Sequence, residues 1–246
     1  MRVLCVIPAR LGSSRLPNKP LQLLAGEPLV TRVARRVAEL DVAEWIVVAS
    51  DAPEVIDRVR DAGIDAVLTG GQHLNGTERV AEVARMDEYG GFDVLVNVQG
   101  DEPFIERAAI RGAIDRVAEG DDVGTVAAPL PPEQANDPAR VKVVSDGAGR
   151  ALYFSRAPIP HYRSPAERMP EYWQHLGVYA YTVEALERWV RLPPTPLELA
   201  EQLEQLRALE HGLSIGVARL DRPAPPGIDT VDDLQRAEAL WLTLSR

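Results

Sequence analysis

The chain reads as a doubly wound α/β fold built on a mainly parallel sheet. Three features support this. Short apolar runs recur at strand length, amphipathic runs at helical spacing alternate with them through residue 128, and the candidate chemistry falls on the loops that follow the strands. Val3-Leu-Cys-Val-Ile7 is a buried strand. A helix is expected after Pro28, with Val30, Val33, Val37 and Leu40 on one face. Trp45 to Ala49 is the second strand, followed by a helix from Pro53 to about Ala62 and a short strand, Ala66 to Leu68. A glycine-punctuated loop, 69–79, feeds a helix from about Thr77, with Asn75 or Thr77 as its N-cap. Val94 to Val98 is the fourth strand, a helix spans about Ile105 to Ala118, and Val123 to Ala128 is the fifth strand. In such a fold ligands lie outside the carboxyl ends of the strands, so the loops near 9–19, 50–51, 70–79 and 99–103 should converge.

Past Pro129-Leu-Pro-Pro132 the texture changes. Val141 to Val144 and Ala151 to Phe154 are expected to form a β-hairpin turned at Asp146-Gly-Ala-Gly149. A proline- and arginine-rich loop precedes a strand from Gln174 to Ala180, and helices are expected over 182–191 and 197–211. Ile215 to Leu220 is strand-like and 230–245 closes the chain as a helix. The reading is one domain over 1–246, with a core at 1–128 and 215–246 and an inserted α+β lobe at 129–214.

The formal charge of −10 argues against a nucleic-acid groove or an anionic membrane surface. One cysteine, Cys5, excludes an internal disulfide, fits a reducing compartment and reads as a core residue. No apolar stretch reaches membrane-spanning length, and the first strand begins too early to leave room for a signal peptide, so a cytoplasmic protein is expected. Of 27 basic residues only Lys19 and Lys142 are lysine. A lysine at 19 suggests that a compact ammonium is wanted there rather than a planar fork.

The loop after the first strand combines small residues, Ala9, Gly12, Ser13 and Ser14, with Arg10, Arg15 and Lys19. Amide donors and cations at the carboxyl end of a strand suit a polyphosphate, although a solvated basic loop has the same composition. Asp101, in Gln99-Gly-Asp-Glu-Pro103, could hold Mg²⁺ on a nucleotide or be an Asx-turn residue. Asp229, in Gly227-Ile-Asp-Thr-Val231, could be a second metal carboxylate or the N-cap of the last helix. There is no Walker loop, G-x-G-x-x-G, H-E-x-x-H or G-x-S-x-G, and four histidines with one cysteine make a zinc cluster a poor fit.

Ile7-Pro-Ala-Arg10 with Ser13, Arg15-Leu-Pro and Lys19-Pro20 opens a longer series of motifs. It continues through Asn75-Gly-Thr-Glu-Arg79, Asn97-Val-Gln-Gly-Asp-Glu-Pro103, Val141-Lys-Val-Val144, Ala151-Leu-Tyr-Phe-Ser-Arg156 and His175-Leu-Gly-Val-Tyr179. Pro196-Leu-Glu198, Leu203-Glu-Gln-Leu-Arg207 and Gly227-Ile-Asp-Thr230 complete it. In this order the series closely resembles the cytidylyltransferases that activate 3-deoxy-D-manno-octulosonate (KDO), over nearly the whole chain. The first motif marks nucleotidyltransferases in general; the later ones separate the KDO enzymes from those acting on sialate.

The resemblance implies a nucleotide-diphospho-sugar transferase-like fold whose lobe serves sugar binding and dimerisation. It implies CTP and KDO as substrates, Mg²⁺ as cofactor, a homodimer and a place in lipopolysaccharide biosynthesis. Arg10, Ser13, Arg15 and Lys19 would hold the triphosphate. Asn75, Gly76 and Arg79 would read cytosine or ribose, and Asp101 and Asp229 would bind the metal. Gln99, placed beside the nucleotide, would also line the sugar site with Arg156, His175, Tyr179, Glu204 and Gln205.

Without the resemblance, His175 and Tyr179 read as lobe packing, Glu198, Glu201 and Glu204 as a solvated helix face, and Arg156 as a surface arginine. The stretch 161–172 departs from the family, being short and carrying His161-Tyr162 where Trp-Asp is usual, which puts any dimer contact or lid formed there in doubt. Three other readings stand beside this one: a cytidylyltransferase for sialate or an amino-substituted KDO, a glycosyltransferase, and a nucleotide-binding module without catalysis. The absence of Asp-x-Asp at 101–103 counts against the glycosyltransferase.

Overall fold

The computed structural model describes residues 1–12, 15–73, 75–164 and 170–244. The chain packs into two compact units, Met1–Arg107 with Pro225–Arg246, and Ala108–Ala224. The second unit therefore includes segments near 108–128 and 215–224 that sequence texture grouped with the core.

The first unit starts with β1 (Val3–Ala9) and a short hairpin, β2 (Leu23–Leu24) and β3 (Glu27–Pro28), followed by α1 (Leu29–Glu39) and β4 (Trp45–Ser50). α2 (Pro53–Asp61), β5 (Ala66–Leu68), α3 (Gly76–Ala84) and β6 (Val94–Asn97) follow. The strands run parallel in the order β6-β1-β4-β5, with Cys5 opposite Val96 on one side and Ile46 on the other. Leu4, Cys5, Val6, Ile7, Val47 and Val48 are fully buried, as a strand covered on both faces requires. Burial of each larger aliphatic side chain contributes about 1.5–3 kcal/mol. Burial also pushes the Cys5 thiol up to about 12, which makes it an inert core group.

α1 follows its periodicity, burying Leu29, Val30, Val33 and Val37. The β2–β3 hairpin was not legible in the sequence. It turns at Ala25 and Gly26, with φ of 50° and 80°, and a non-glycine residue at positive φ gives little local signal.

The second unit opens with α4 (Arg107–Ala118), which starts two residues later than expected, and β7 (Val123–Leu130). β8 (Lys142–Ser145), β9 (Ala151–Ser155), β10 (Tyr172–Thr182), α5 (Val183–Trp189), α6 (Pro196–Glu201), α7 (Gln205–Glu210) and β11 (Ile215–Arg219) follow. β7 pairs in parallel with β11 and antiparallel with β10, while β8 pairs antiparallel with both β9 and β10. The chain then returns to the first unit with α8 (Val231–Leu244).

Two elements depart from expectation for identifiable reasons. The helix expected over 197–211 is two short helices, broken where Gln202 adopts φ 52° and ψ 50°. Arg156 Nε and Nη2 donate to the carbonyls of Glu201 and Gln202 at 2.7 and 3.1 Å, replacing the amides that would have continued the helix. β10 carries a bulge: Leu176 pairs with Val126, and the next pair is Tyr179 with Thr125. Gly177 and Val178 are thus extra residues in the ladder.

Lys142 is fully buried on β8, and its ammonium donates to the backbone carbonyls of Asp137 (3.0 Å), Arg140 (2.5 Å) and Arg156 (2.5 Å). Desolvation lowers its pKa. The three carbonyls satisfy all three ammonium donors and tie the 137–140 loop to the end of β9.

Gly124 on β7 lies so close to the carbonyl of Ala113 in α4 that a β-carbon there would collide with it. Gly124→Ala is therefore expected to destabilise the protein by at least about 2 kcal/mol, measured as a lowered urea midpoint.

Candidate active site

β1, β4, β5 and β6 are parallel neighbours, so their carboxyl ends open on one edge. A cavity of about 330 Å³ lies there. Pro8, Ala9 and Arg10 leave β1 into it, Lys19 and Pro20 come from the loop beyond, His73, Asn75, Gly76 and Arg79 surround the start of α3, and Gln99, Gly100 and Asp101 follow β6. The loops meet because two glycines permit close approach to β1. A β-carbon on Gly100 would lie 3.0 Å from the Pro8 carbonyl oxygen, and one on Gly76 would lie 3.1 Å from Pro8 Cγ. Asn75, rather than Thr77, caps α3: its side chain accepts the Glu78 amide at 2.9 Å.

At one end of the cavity the Lys19 ammonium is hydrogen-bonded to Asp101 and lies 3.0 Å from Asp229 Oδ1. Arg15 Nη2 reaches the other oxygen of Asp229 at 3.1 Å. Burial alone would lower the Lys19 pKa, but the charges and hydrogen bonds of the two carboxylates outweigh it and raise it, so the ammonium stays charged. Asp229 is not the N-cap of α8. That task falls to Thr230, whose hydroxyl accepts the Asp233 amide at 3.1 Å, and Asp233 in turn accepts the Asp229 and Thr230 amides. Asp229 is left to face Lys19 and Arg15.

Arg10 is exposed at the cavity and makes no ion pair with any described residue. Arg79 is buried: it donates to Thr69 Oγ1, lies 3.5 Å from the Gly70 carbonyl, and pairs with Asp51 at 3.3 Å. Gln99 Nε2 points to Asn97 Oδ1 at 3.4 Å. Ser13 lies outside the described residues.

The remaining sequence candidates lie in the second unit. His175 and Tyr179 are four residues apart, roughly 13 Å along a regular strand, yet their ring centroids are 5.3 Å apart. The β10 bulge causes this, since their partners on β7, Ala127 and Thr125, are only two residues apart. Phe154 packs edge-on against His175 at 4.9 Å, and Tyr179 packs edge-on to Trp189 at 6.1 Å. Burial first, then Tyr181 and Glu204, holds the Tyr179 phenol well above its usual pKa, so Glu204 lies close enough to act on it. Gln205 is buried at the first turn of α7. Arg156 reaches backbone carbonyls through Nε, Nη1 and Nη2, accepted by Glu201, Pro138 and Gln202, which leaves only the outer N–H groups for a ligand.

Thr125 fixes the His175 tautomer. Its hydroxyl lies 2.8 Å from the Val178 carbonyl, the nearer of two carbonyl acceptors, and 3.0 Å from His175 Nε2; with its proton on the carbonyl, it accepts from Nε2. Nδ1 is then an acceptor, and desolvation pushes the ring pKa down to about 3, so the imidazole is neutral.

Several carboxylates stand differently from their sequence reading or were not singled out there. Glu201 accepts from the Ser155 hydroxyl at 2.6 Å and the Arg156 amide at 2.9 Å, while Glu198 forms a buried pair with Arg207, so the glutamates are not a solvated face. Glu102, next to Asp101, has a raised pKa from desolvation, Asp101 and Asp229, partly offset by Lys19. His73 and Glu82 brace the loop before α3; the spacing of Arg79 and Glu82, three apart on a helix, was the available signal.

Residues 4–215 match a family model described as cytidylyltransferase. A 3-deoxy-manno-octulosonate cytidylyltransferase of Gemmatimonas aurantiaca is 53% identical over 245 residues, covering 98% of this chain and 95% of that protein. One of the same name from Methylococcus capsulatus is 46% identical, covering 94% of each. The solved structure of a CMP:2-keto-3-deoxy-manno-octonic acid synthetase complexed with CTP superposes with a TM-score of 0.92 at 36% identity, covering 99% of this chain and 100% of that one.

The neutral His175 makes stability depend on pH. Its folded pKa lies below the ordinary 6.5, so between about 6.5 and about 3 the unfolded chain takes up a proton that the folded chain does not. The stabilisation present above 6.5 is lost as pH falls through that window. From about pH 7 to about pH 4 the wild type should lose roughly 3 kcal/mol more than His175→Gln, read from denaturant midpoints at each pH.

Proposed function

We infer that this chain, which belongs to the cytidylyltransferases and within them to the 3-deoxy-manno-octulosonate cytidylyltransferases, transfers CMP from CTP to the anomeric 2-hydroxyl of KDO. Pyrophosphate leaves. The names of the relatives favour KDO over sialate or an amino-substituted KDO. The structural observation that carries the reading is the convergence of Asp101 and Asp229 on Lys19, which lines the cavity together with Asp101.

In this reading Arg10, Ser13, Arg15 and Lys19 hold the triphosphate, and Lys19 offsets charge that builds on the α-phosphate and on the departing pyrophosphate. Asn75, Gly76 and Arg79 face the nucleoside. In the second unit, His175, Tyr179, Glu204 and Gln205 read sugar hydroxyls; in the first, Gln99 serves the nucleotide. The outer N–H groups of Arg156 are directed to the sugar carboxylate. The acceptor hydroxyl attacks phosphorus in line, and catalysis is positioning plus electrostatic stabilisation. No covalent enzyme intermediate is involved.

The carboxylates fit Mg²⁺ chemically. Asp101 and Asp229 each present an oxygen to a single cation, the Lys19 ammonium, so two hard donors already converge on one point. Bound there, Mg²⁺ would withdraw charge from the phosphates. Among the described residues no group of three or more His, Cys, Asp or Glu could hold a metal ion, so Asp101 and Asp229 are the residues that would hold it.

A cytoplasmic homodimer acting in lipopolysaccharide biosynthesis completes the proposal. Leu152, Leu197 and Leu199 are exposed in the second unit and are apolar positions that an interface would cover. Among the described residues no helix is long and apolar enough to cross a membrane.

Purified protein supplied with CTP, Mg²⁺ and KDO is expected to release pyrophosphate, and no release would end the proposal. Asp101→Ala should lower kcat by about a hundredfold or more, and unchanged turnover would remove Asp101 from the mechanism. Lys19→Met should lower kcat with little change in KM for KDO, read from initial rates at varied KDO.

A further inference from the structure

The Gly70 peptide is held from both sides by one helix. Its amide donates to both carboxylate oxygens of Glu82, at 3.1 and 3.0 Å, and its carbonyl lies 3.5 Å from Arg79 Nη1. Glu82 also takes a hydrogen bond from His73 Nε2, while His73 Nδ1 is 3.8 Å from Glu78. His73 lines the cavity beside Asn75 and Arg79, whereas Glu82 is not part of its wall. Burial works against the Glu82 charge, but the bonds from His73 and the Gly70 amide, with the charges of His73 and Arg79, prevail and lower its pKa. A carboxylate that stays ionised can accept from the loop amide and the imidazole at once.

We propose that Glu82 is the positioning residue for the nucleoside: it clamps Gly70 and His73 so that the loop before α3 forms a fixed wall for a pyrimidine nucleotide. The ligand does not touch Glu82. It meets His73, which is held by that carboxylate. Residues 70–73, with glycines at 70 and 71, lie outside any helix or strand, so these side-chain bonds set their shape. A rigid wall discriminates between bases because a shifted acceptor or donor leaves a buried polar group unpaired. The proposal rests on the placement of the nucleoside beside the start of α3.

The test compares Glu82→Gln and Glu82→Ala with wild type, measuring kcat, KM for CTP, KM for KDO and the ratio of kcat/KM for CTP over UTP. Glu82→Ala should raise KM for CTP roughly tenfold and lower the CTP/UTP ratio several-fold, with kcat and KM for KDO within about twofold. Glu82→Gln keeps one acceptor oxygen and should show about a third of that effect. CTP affinity unchanged in both variants, or a parallel loss in all parameters, overturns the role of Glu82. If Glu82→Ala does not fold, the isosteric Glu82→Gln decides alone. His73→Ala is measured alongside by direct CTP titration: unchanged affinity there refutes the placement of the nucleoside, separately from the role of Glu82.

Discussion

One cation between two carboxylates holds the first unit together in sequence as well as in space. Lys19, Asp101 and Asp229 come from the loop after β1, the loop after β6 and the segment before α8, separated by 82 and 210 residues along the chain. Two aspartates this close would repel without a counter-charge. Lys19 supplies it, and Arg15 adds a second cation on Asp229. The closeness of the loops to β1, set by Gly76 and Gly100, brings these charges within reach of the cavity.

The second unit solves a different problem, that of assembling polar groups on a strand without losing its core. The β10 bulge places His175 beside Tyr179, and the aromatic cluster of Phe154, Tyr181 and Trp189 takes up their apolar faces. Desolvation then sets the chemistry. It keeps the imidazole neutral and the phenol protonated, so both are hydrogen-bonding groups rather than charges near neutrality.

The alternation of apolar strands and amphipathic helices was legible because burial on both faces leaves long Val/Ile/Leu runs, and the order of motifs pointed to the correct family. The convergence of the loops after β1, β5 and β6 also followed from parallel topology. What sequence patterning could not give were events decided by distant partners. The break at Gln202 depends on Arg156, 46 residues earlier. The bulge depends on the register with β7, and the burial of Glu198 depends on Arg207. Arg156 illustrates the same limit at the site: its guanidinium is largely engaged with backbone carbonyls, which its neighbours in sequence do not reveal.

In a chain that otherwise uses arginine for positive charge, the carbonyl cage around Lys142 gives the composition a geometric meaning. An ammonium points its hydrogens in three directions from one atom, whereas a guanidinium spreads its donors across a plane. The acceptors from Asp137, Arg140 and Arg156 surround a point, and the two carboxylates at Lys19 do the same. Both lysines are therefore junctions where separate stretches of backbone or side chain are drawn onto one atom. Replacement by arginine would preserve the charge at either place and lose the junction.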